Sequence, residues 1–186
     1  MYYLGSGVVK DYNKAFEYFS KSAESGVVEA KYYLGVMYYC GEGVTENAQK
    51  AFEYLQEPAE EGYSYANCIL GVMYLYGNGV PKNYNYAVKY LNESIKESEN
   101  PDARLYLAIC YHDGLGVPKD LNIAREYIKQ SVDGGNATAK EISKNFEYER
   151  WLNKVDDVVS LIPVIGESWR IGKTISTKIG EIINGD

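Results

Sequence analysis

The residues able to do acid–base, nucleophilic or metal chemistry are few and scattered in this chain. His112 is the only histidine, and Asp113 beside it supplies an orienting carboxylate, but no nucleophile recurs nearby, so the pair cannot complete a triad. A lone histidine at a helix end reads as structural or surface. Cys40, Cys68 and Cys110 form an odd set without a CxxC pair, which indicates neither a zinc site nor a disulfide framework. They read as buried helical thiols in a reducing compartment. Gly-x-Gly occurs four times, yet without GxGxxG spacing or a preceding strand, so a phosphate loop fails on context. No catalytic, cofactor-binding or metal site is expected, and the chain reads as a non-enzyme.

The charge balance narrows the partners. With 19 basic against 26 acidic residues the net charge is −7, which argues against a groove that tracks nucleic-acid phosphates. The acidity belongs to the first 143 residues, with 13 basic and 19 acidic; the rest carries 6 and 7. No charged segment followed by an apolar run opens the sequence, so a cytoplasmic location is expected.

What positions the side chains is a repeat. Met1-Tyr2-Tyr3-Leu4-Gly5-Ser6-Gly7-Val8 returns as Met37 to Val44, Met73 to Val80 and Cys110 to Val117, at steps of 36, 36 and 37 residues. A period of this size marks stacked supersecondary units. Met1 aligns with Met37 and Met73, which fall inside a helix, so the first unit lacks most of its first helix and reads as truncated. In the second unit Ala30, Leu34, Met37, Tyr38 and Gly41 share one arc at 100° per residue, the pattern of a helix with a buried face, here termed A.

Gly41-Glu42-Gly43-Val44 then breaks the helix, and glycine at both positions of every copy implies backbone angles that a side chain would forbid. Helix B follows over about 47–61 with Ala51, Tyr54, Leu55 and Ala59 inward. Its equivalents are Ala15, Tyr18, Phe19 and Ala23, then Ala87, Tyr90, Leu91 and Ile95, then Ala124, Tyr127, Ile128 and Val132. Gly26, Gly62 and Gly135 end helix B, whereas the third unit reads Glu99-Asn100-Pro101-Asp102 and predicts a wider junction. Gly35 and Gly71, replaced by Ala108, predict a close crossing of the two helices.

Leu-Gly-x-x-Tyr-x-x-Gly-x-Gly-Val followed by x-Lys-Ala-x-x-Tyr, as in Leu34 to Val44 with Lys50, Ala51 and Tyr54, resembles the Sel-one-like repeat family, related to the tetratricopeptide repeat. The resemblance covers about residues 1–140. It implies an all-α, right-handed α/α superhelical solenoid of about four hairpins, acting as an adaptor for other proteins. A disulfide-rich branch of the family carries two cysteines per repeat, which this chain lacks.

Positions alike in every unit serve packing, as do the recurrent Tyr2, Tyr38, Tyr74 and Tyr111. Positions that vary are free for other work. On helix A the arc opposite the core carries Tyr32, Val36 and Tyr39, then Cys68, Val72 and Leu75, then Leu105, Ile109 and His112. Such arcs line the concave side of a solenoid, and their apolar, aromatic character predicts a contact surface for a protein or peptide. Two alternatives stand beside it: neighbouring A helices bury the stripe against each other, or the chain's own tail fills the groove.

The division expected is a solenoid over 1–143 and a tail over 144–186. Within the tail, 155–166 is the most apolar stretch and is too short to span a bilayer. After Pro163 a helix over about 166–183 sets Trp169, Gly172, Ser176, Ile179 and Ile183 along one side, with Ile175 and Ile182 adjacent. This amphipathic segment suits a solenoid cap or a groove filler; membrane-surface docking and helix-mediated self-association compete with those readings.

Overall fold

The computed structural model describes Tyr3, residues 9–96 and residues 98–144. The described residues form eight α-helices and no strand: α1 (Tyr12–Glu24), α2 (Val28–Cys40), α3 (Ala48–Glu60), α4 (Ser64–Tyr76), α5 (Tyr84–Lys96), α6 (Pro101–Asp113), α7 (Leu121–Asp133) and α8 (Ala137–Lys144). The even-numbered helices are A helices and the odd-numbered ones B helices. Each A helix packs most closely on the B helix that follows it, as in α2 with α3, α4 with α5 and α6 with α7, and then on the B helix before it. The fold is a stack of helical hairpins, a solenoid, as the repeat predicts.

The same local chemistry closes each hairpin. An Asp or Asn side chain caps the B helices: Asp11 accepts from the Lys14 N–H at 3.0 Å, Asn47 from Lys50 at 2.9 Å, Asn83 from Tyr86 at 3.1 Å and Asp120 from Asn122 at 2.9 Å. The capping residue's own backbone N–H reaches back to the last turn of helix A, from Asn47 to the Tyr38 carbonyl, Asn83 to Tyr74 and Asp120 to Tyr111, at 2.8, 2.9 and 2.8 Å. Cap and loop are therefore one device.

Both glycines of each Gly-x-Gly adopt positive φ, but they serve different ends. Gly41, Gly77 and Gly114, at φ 69°, 74° and 72°, terminate helix A, where a Cβ would meet its nearest neighbours at 3.3 to 3.4 Å. A Cβ on Gly43, Gly79 or Gly116 would lie 2.5, 2.6 and 2.4 Å from backbone atoms of Tyr12, Ala48 and Tyr84. Those three residues open the preceding B helix. The second glycine is thus the contact that seats one hairpin on the previous one, and only a missing side chain permits it.

Packing inside a hairpin depends on shape. A Cβ at Gly35 would meet Leu55 Cγ at 2.6 Å, and one at Gly71 would meet Leu91 Cγ at 2.8 Å. Where the unit carries Ala108 instead, buried at 1% exposure, the counterpart of Leu55 and Leu91 is Ile128, which branches one carbon earlier. The recurrent tyrosines tie the layers: Tyr38 stacks on Tyr54 with ring centroids 5.6 Å apart, Tyr74 on Tyr90 at 5.7 Å and Tyr111 on Tyr127 at 5.7 Å. Phe16 and Phe52 meet Tyr38 and Tyr74 edge-on from the previous B helix. Tyr18, expected on the inner side like Tyr54, is instead 58% exposed. Tyr2, the counterpart of the tyrosines that stack in later units, lies outside the described residues, as does the tail from 145.

The junctions from B to A follow the glycine pattern, with Gly26, Gly62 and Gly135 at φ 84°, 84° and 89°. The third junction uses side chains instead. Asn100, 3% exposed, accepts from the backbone of Asp102 and Ala103 and donates to Ser64 Oγ at 3.1 Å. Ser64 and Ser94 complete the network, each hydroxyl donating to the other's carbonyl at 2.7 and 2.8 Å.

Candidate functional site

The two helix types differ in how they bury themselves. B helices are one-sided: α5 buries Ala87, Val88, Leu91 and Ser94 and leaves the remainder wholly or partly open. A helices are apolar around most of their circumference, and α4 buries Ala66 to Met73 and Leu75. A helix of that kind needs cover on more than one side. The arc turned from the B helices is where a site would lie.

That arc holds the residues singled out from sequence. Val36, Tyr39, Val72, Leu75 and Leu105 join one hydrophobic cluster, with Tyr32 packed against it. Ile109 and His112 are buried as well but outside that cluster. The expectation of an open patch is corrected. Tyr39 and Leu75 are each 2% exposed, and Val36, Val72, Leu105, Ile109 and His112 are also buried, leaving Tyr32 partly accessible. Apolar side chains crowded from α2, α4 and α6 into one surface lose contact with water, which is the physical reason for the difference.

Side chains at the stripe's two ends add polarity that the sequence pattern missed. Tyr65 and Asp102 are the counterparts of Glu29, and Tyr76 and Asp113 those of Cys40, one position beyond the arc traced from Tyr32, Val36 and Tyr39. Extending that arc at helical spacing would have found them. Burial raises the Asp102 carboxyl above the usual range, opposed by a hydrogen bond from Asn136 Nδ2 at 2.6 Å. Burial, with Asp102 adding, also holds the Cys68 thiol well above its ordinary value. Cys110 is pushed up to about 12 by burial and then by Asp113. Both thiols stay protonated at neutral pH, so neither is an activated nucleophile.

Tyr106 shows that the three helices share this surface. Burial raises its phenol first, followed by the charges of Tyr76, Tyr39, Cys68 and Asp102, drawn from α2, α4 and α6. Its ring lies 6.5 Å from that of Tyr76. His112 Nδ1 sits 2.5 Å from Asp113 Oδ1, a hydrogen-bonding contact between neighbours at the end of α6. Among the described residues no group of three or more His, Cys, Asp or Glu side chains could hold a metal. No described helix is long and apolar enough to cross a membrane. Chemically, the arrangement can bury apolar and aromatic surface and meet a few hydrogen-bonding or cationic groups at its rims.

Comparison with known proteins places this geometry. Residues 64–98 and 101–136 match the Sel1 repeat model, and residues 8–69 match a model described as plant tetratrico peptide repeats. No curated protein matches. Among solved structures, the chain is similar to a protective antigen present in uropathogenic Escherichia coli strains and displaying an SLR fold, at 30% identity and TM-score 0.68 over 80% of this chain and 32% of that one. A Sel1 repeat protein from Oxalobacter formigenes matches at 30% identity and TM-score 0.67, over 76% of this chain and 57% of that one. The chain thus spans about a third of the first relative and somewhat over half of the second. Repeats of this type generally serve as non-catalytic scaffolds for protein partners. Shared motif, hairpin stack and structural neighbours together make the chain a member of the Sel1-like repeat family.

Proposed function

We propose that this chain is a non-enzymatic scaffold that takes up a protein or peptide segment on the concave face of its A helices. The observation that carries the reading is the apolar and aromatic stripe from Tyr32, Val36 and Tyr39 through Val72 and Leu75 to Leu105, with Ile109 and His112 buried beyond that cluster, built from positions that the repeat leaves free to vary. Packing alone would hold these positions constant from unit to unit, as it does for Leu34 and Tyr38. The segment suited to the stripe is an amphipathic helix or extended strand with apolar anchors, because affinity at such a surface comes from buried aromatic and aliphatic contacts.

The test is affinity purification of the full chain from its native source against the charged variants Tyr39→Asp and Leu75→Asp, with circular dichroism to verify helicity. Specific partners should be lost with both variants and kept with Lys89→Glu, an exposed change on a B helix. Partners retained by folded Tyr39→Asp and Leu75→Asp chains would move the binding face elsewhere.

A further inference from the structure

The tyrosine pair that ties helix A to helix B keeps different company in successive units. In the second unit Tyr38 stacks on Tyr54 and the chain itself supplies a cation, Lys50, whose Nζ lies 5.1 Å from the Tyr38 ring centroid. The negative face of the ring attracts that ammonium group. The third unit keeps the pair, Tyr74 on Tyr90, but carries Tyr86 where the second carries Lys50. The Tyr86 ring lies 5.1 Å from that of Tyr74, tilted by 36°. A lysine's place has become a third ring.

Exposure and charge change with it. Tyr38 is buried, whereas Tyr74 and Tyr90 are half-buried and Tyr86 is 48% exposed. Packing does not demand an aromatic at that position, which holds Lys14 and Lys50 in the first two units and Ile123 in the fourth. Among the described residues no cation stands over Tyr74 or Tyr86. Lys89 reaches Tyr90 alone, at 5.8 Å from its centroid, close to the outer limit of about 6 Å. The fourth pair again has a cation of the chain's own: burial and Tyr111 raise the Tyr127 phenol, and Arg104 lowers it. Around the third pair the added charge is negative. Burial raises the Tyr90 phenol first, followed by Tyr74, Glu60 and Tyr86.

We infer that Tyr74, Tyr86 and Tyr90 form a recognition site for the cationic side chain, arginine or lysine, of a basic protein segment, on the B-helix side of the stack and apart from the stripe. Lys50 over Tyr38 is the chain's own example of the contact, and in the third unit the cation comes from outside. Three neighbouring rings suit a guanidinium, which stacks on aromatic faces, and Glu60 supplies the opposite charge. The net charge of −7 draws a basic segment toward the molecule.

The probe is a short peptide of glycines around one arginine, with the citrulline peptide as an uncharged equal in shape. In NMR of the full chain with isotope-labelled tyrosine rings, the arginine peptide should shift the Tyr74, Tyr86 and Tyr90 signals in a saturating, millimolar response, and the citrulline peptide should not. Tyr86→Lys returns to the third unit the lysine of the first two, so the rings are occupied from within. It should weaken the response of Tyr74 and Tyr90 severalfold, as should Tyr86→Ala, which removes the ring. Tyr86→Phe should keep the response. All three changes fall on an exposed position, and circular dichroism verifies helicity. Equal binding of the citrulline peptide overturns the inference by showing contact without charge. A full response in Tyr86→Lys and Tyr86→Ala overturns it by showing attraction to the acidic surface at large. A response to vesicles of phosphatidylcholine and none to the peptide assigns the rings to a lipid headgroup and overturns it too. Tyr39 and Leu75 take no part in this site, so the scaffold reading of the stripe is tested separately.

Discussion

The A and B helices are equal in length through α7 and follow one another in strict alternation, yet they solve burial differently. B helices present the familiar stripe, with Ala51, Leu55 and Ala59 inward on α3 and charged residues outward. A helices carry apolar side chains nearly all round, so their fold-defining face, with Leu34 and Gly35, is backed by a second face, with Val36 and Tyr39, that is just as dry. The difference teaches that the B layer is the solvated exterior of the stack. The A layer is dry on both faces, the second one closed where side chains of α2, α4 and α6 meet.

The largest effect expected breaks the registration between hairpins. Gly79→Ala forces a side chain into a left-handed conformation at about 1–2 kcal/mol and also drives its Cβ into the backbone of Ala48. Gly77→Ala carries the same conformational cost with a milder contact, its Cβ meeting Lys82 at 3.3 Å where that of Gly79→Ala meets Ala48 at 2.6 Å. Urea unfolding of both variants should show Gly79→Ala the more damaging by a clear margin. Equal losses would mean that the second glycine serves the turn alone and does not seat the preceding B helix.

Next in size is a direct comparison of the two layers. Leu91→Ala, at a fully buried B-helix position, should cost about 2–5 kcal/mol. Leu75→Ala, on the A-helix stripe, should fall in the same range in the full chain, since it too has lost its contact with water. A cost within about 0.5 kcal/mol, the usual surface range, would show the stripe open in solution and the two layers alike in having one wet face.

A smaller effect tests the polar rim. Because burial raises the Asp102 carboxyl, the folded chain holds its proton more tightly than the unfolded chain does. Stability from this group is therefore full below the unfolded value and is lost as pH rises through the folded one. Asp102→Asn should remove that decline and raise stability at neutral pH relative to the parent, as read from urea midpoints across pH 3 to 7. A variant whose midpoint falls at neutral pH would show the carboxylate to be favourably paired.

Much of this was legible in the sequence, because the repeat supplies its own internal comparison. The period gave the hairpin stack, the paired glycines gave the left-handed turns at Gly41 and Gly43, and the small residue at Gly35 gave the close crossing onto Leu55. What the second glycine touches was not legible, since Tyr12, Ala48 and Tyr84 lie about 31 residues upstream and only the stacking brings them near. The covered state of the stripe escaped for a related reason: side-chain type reveals an apolar arc, while exposure depends on what packs over it. Asp102 and Tyr76 were passed over because they sit one helical step beyond the arc considered.

Tyrosines placed throughout both layers allow the central claim to be measured in one experiment, hydroxyl-radical footprinting of the intact chain with residue-level mass spectrometry. The two-sided burial of the A layer predicts that Tyr39 on α2, 2% exposed, is oxidised far more slowly than Tyr18 on α1 and Tyr86 on α5, 58% and 48% exposed. Oxidation of Tyr39 at the rate of Tyr86 would contradict it.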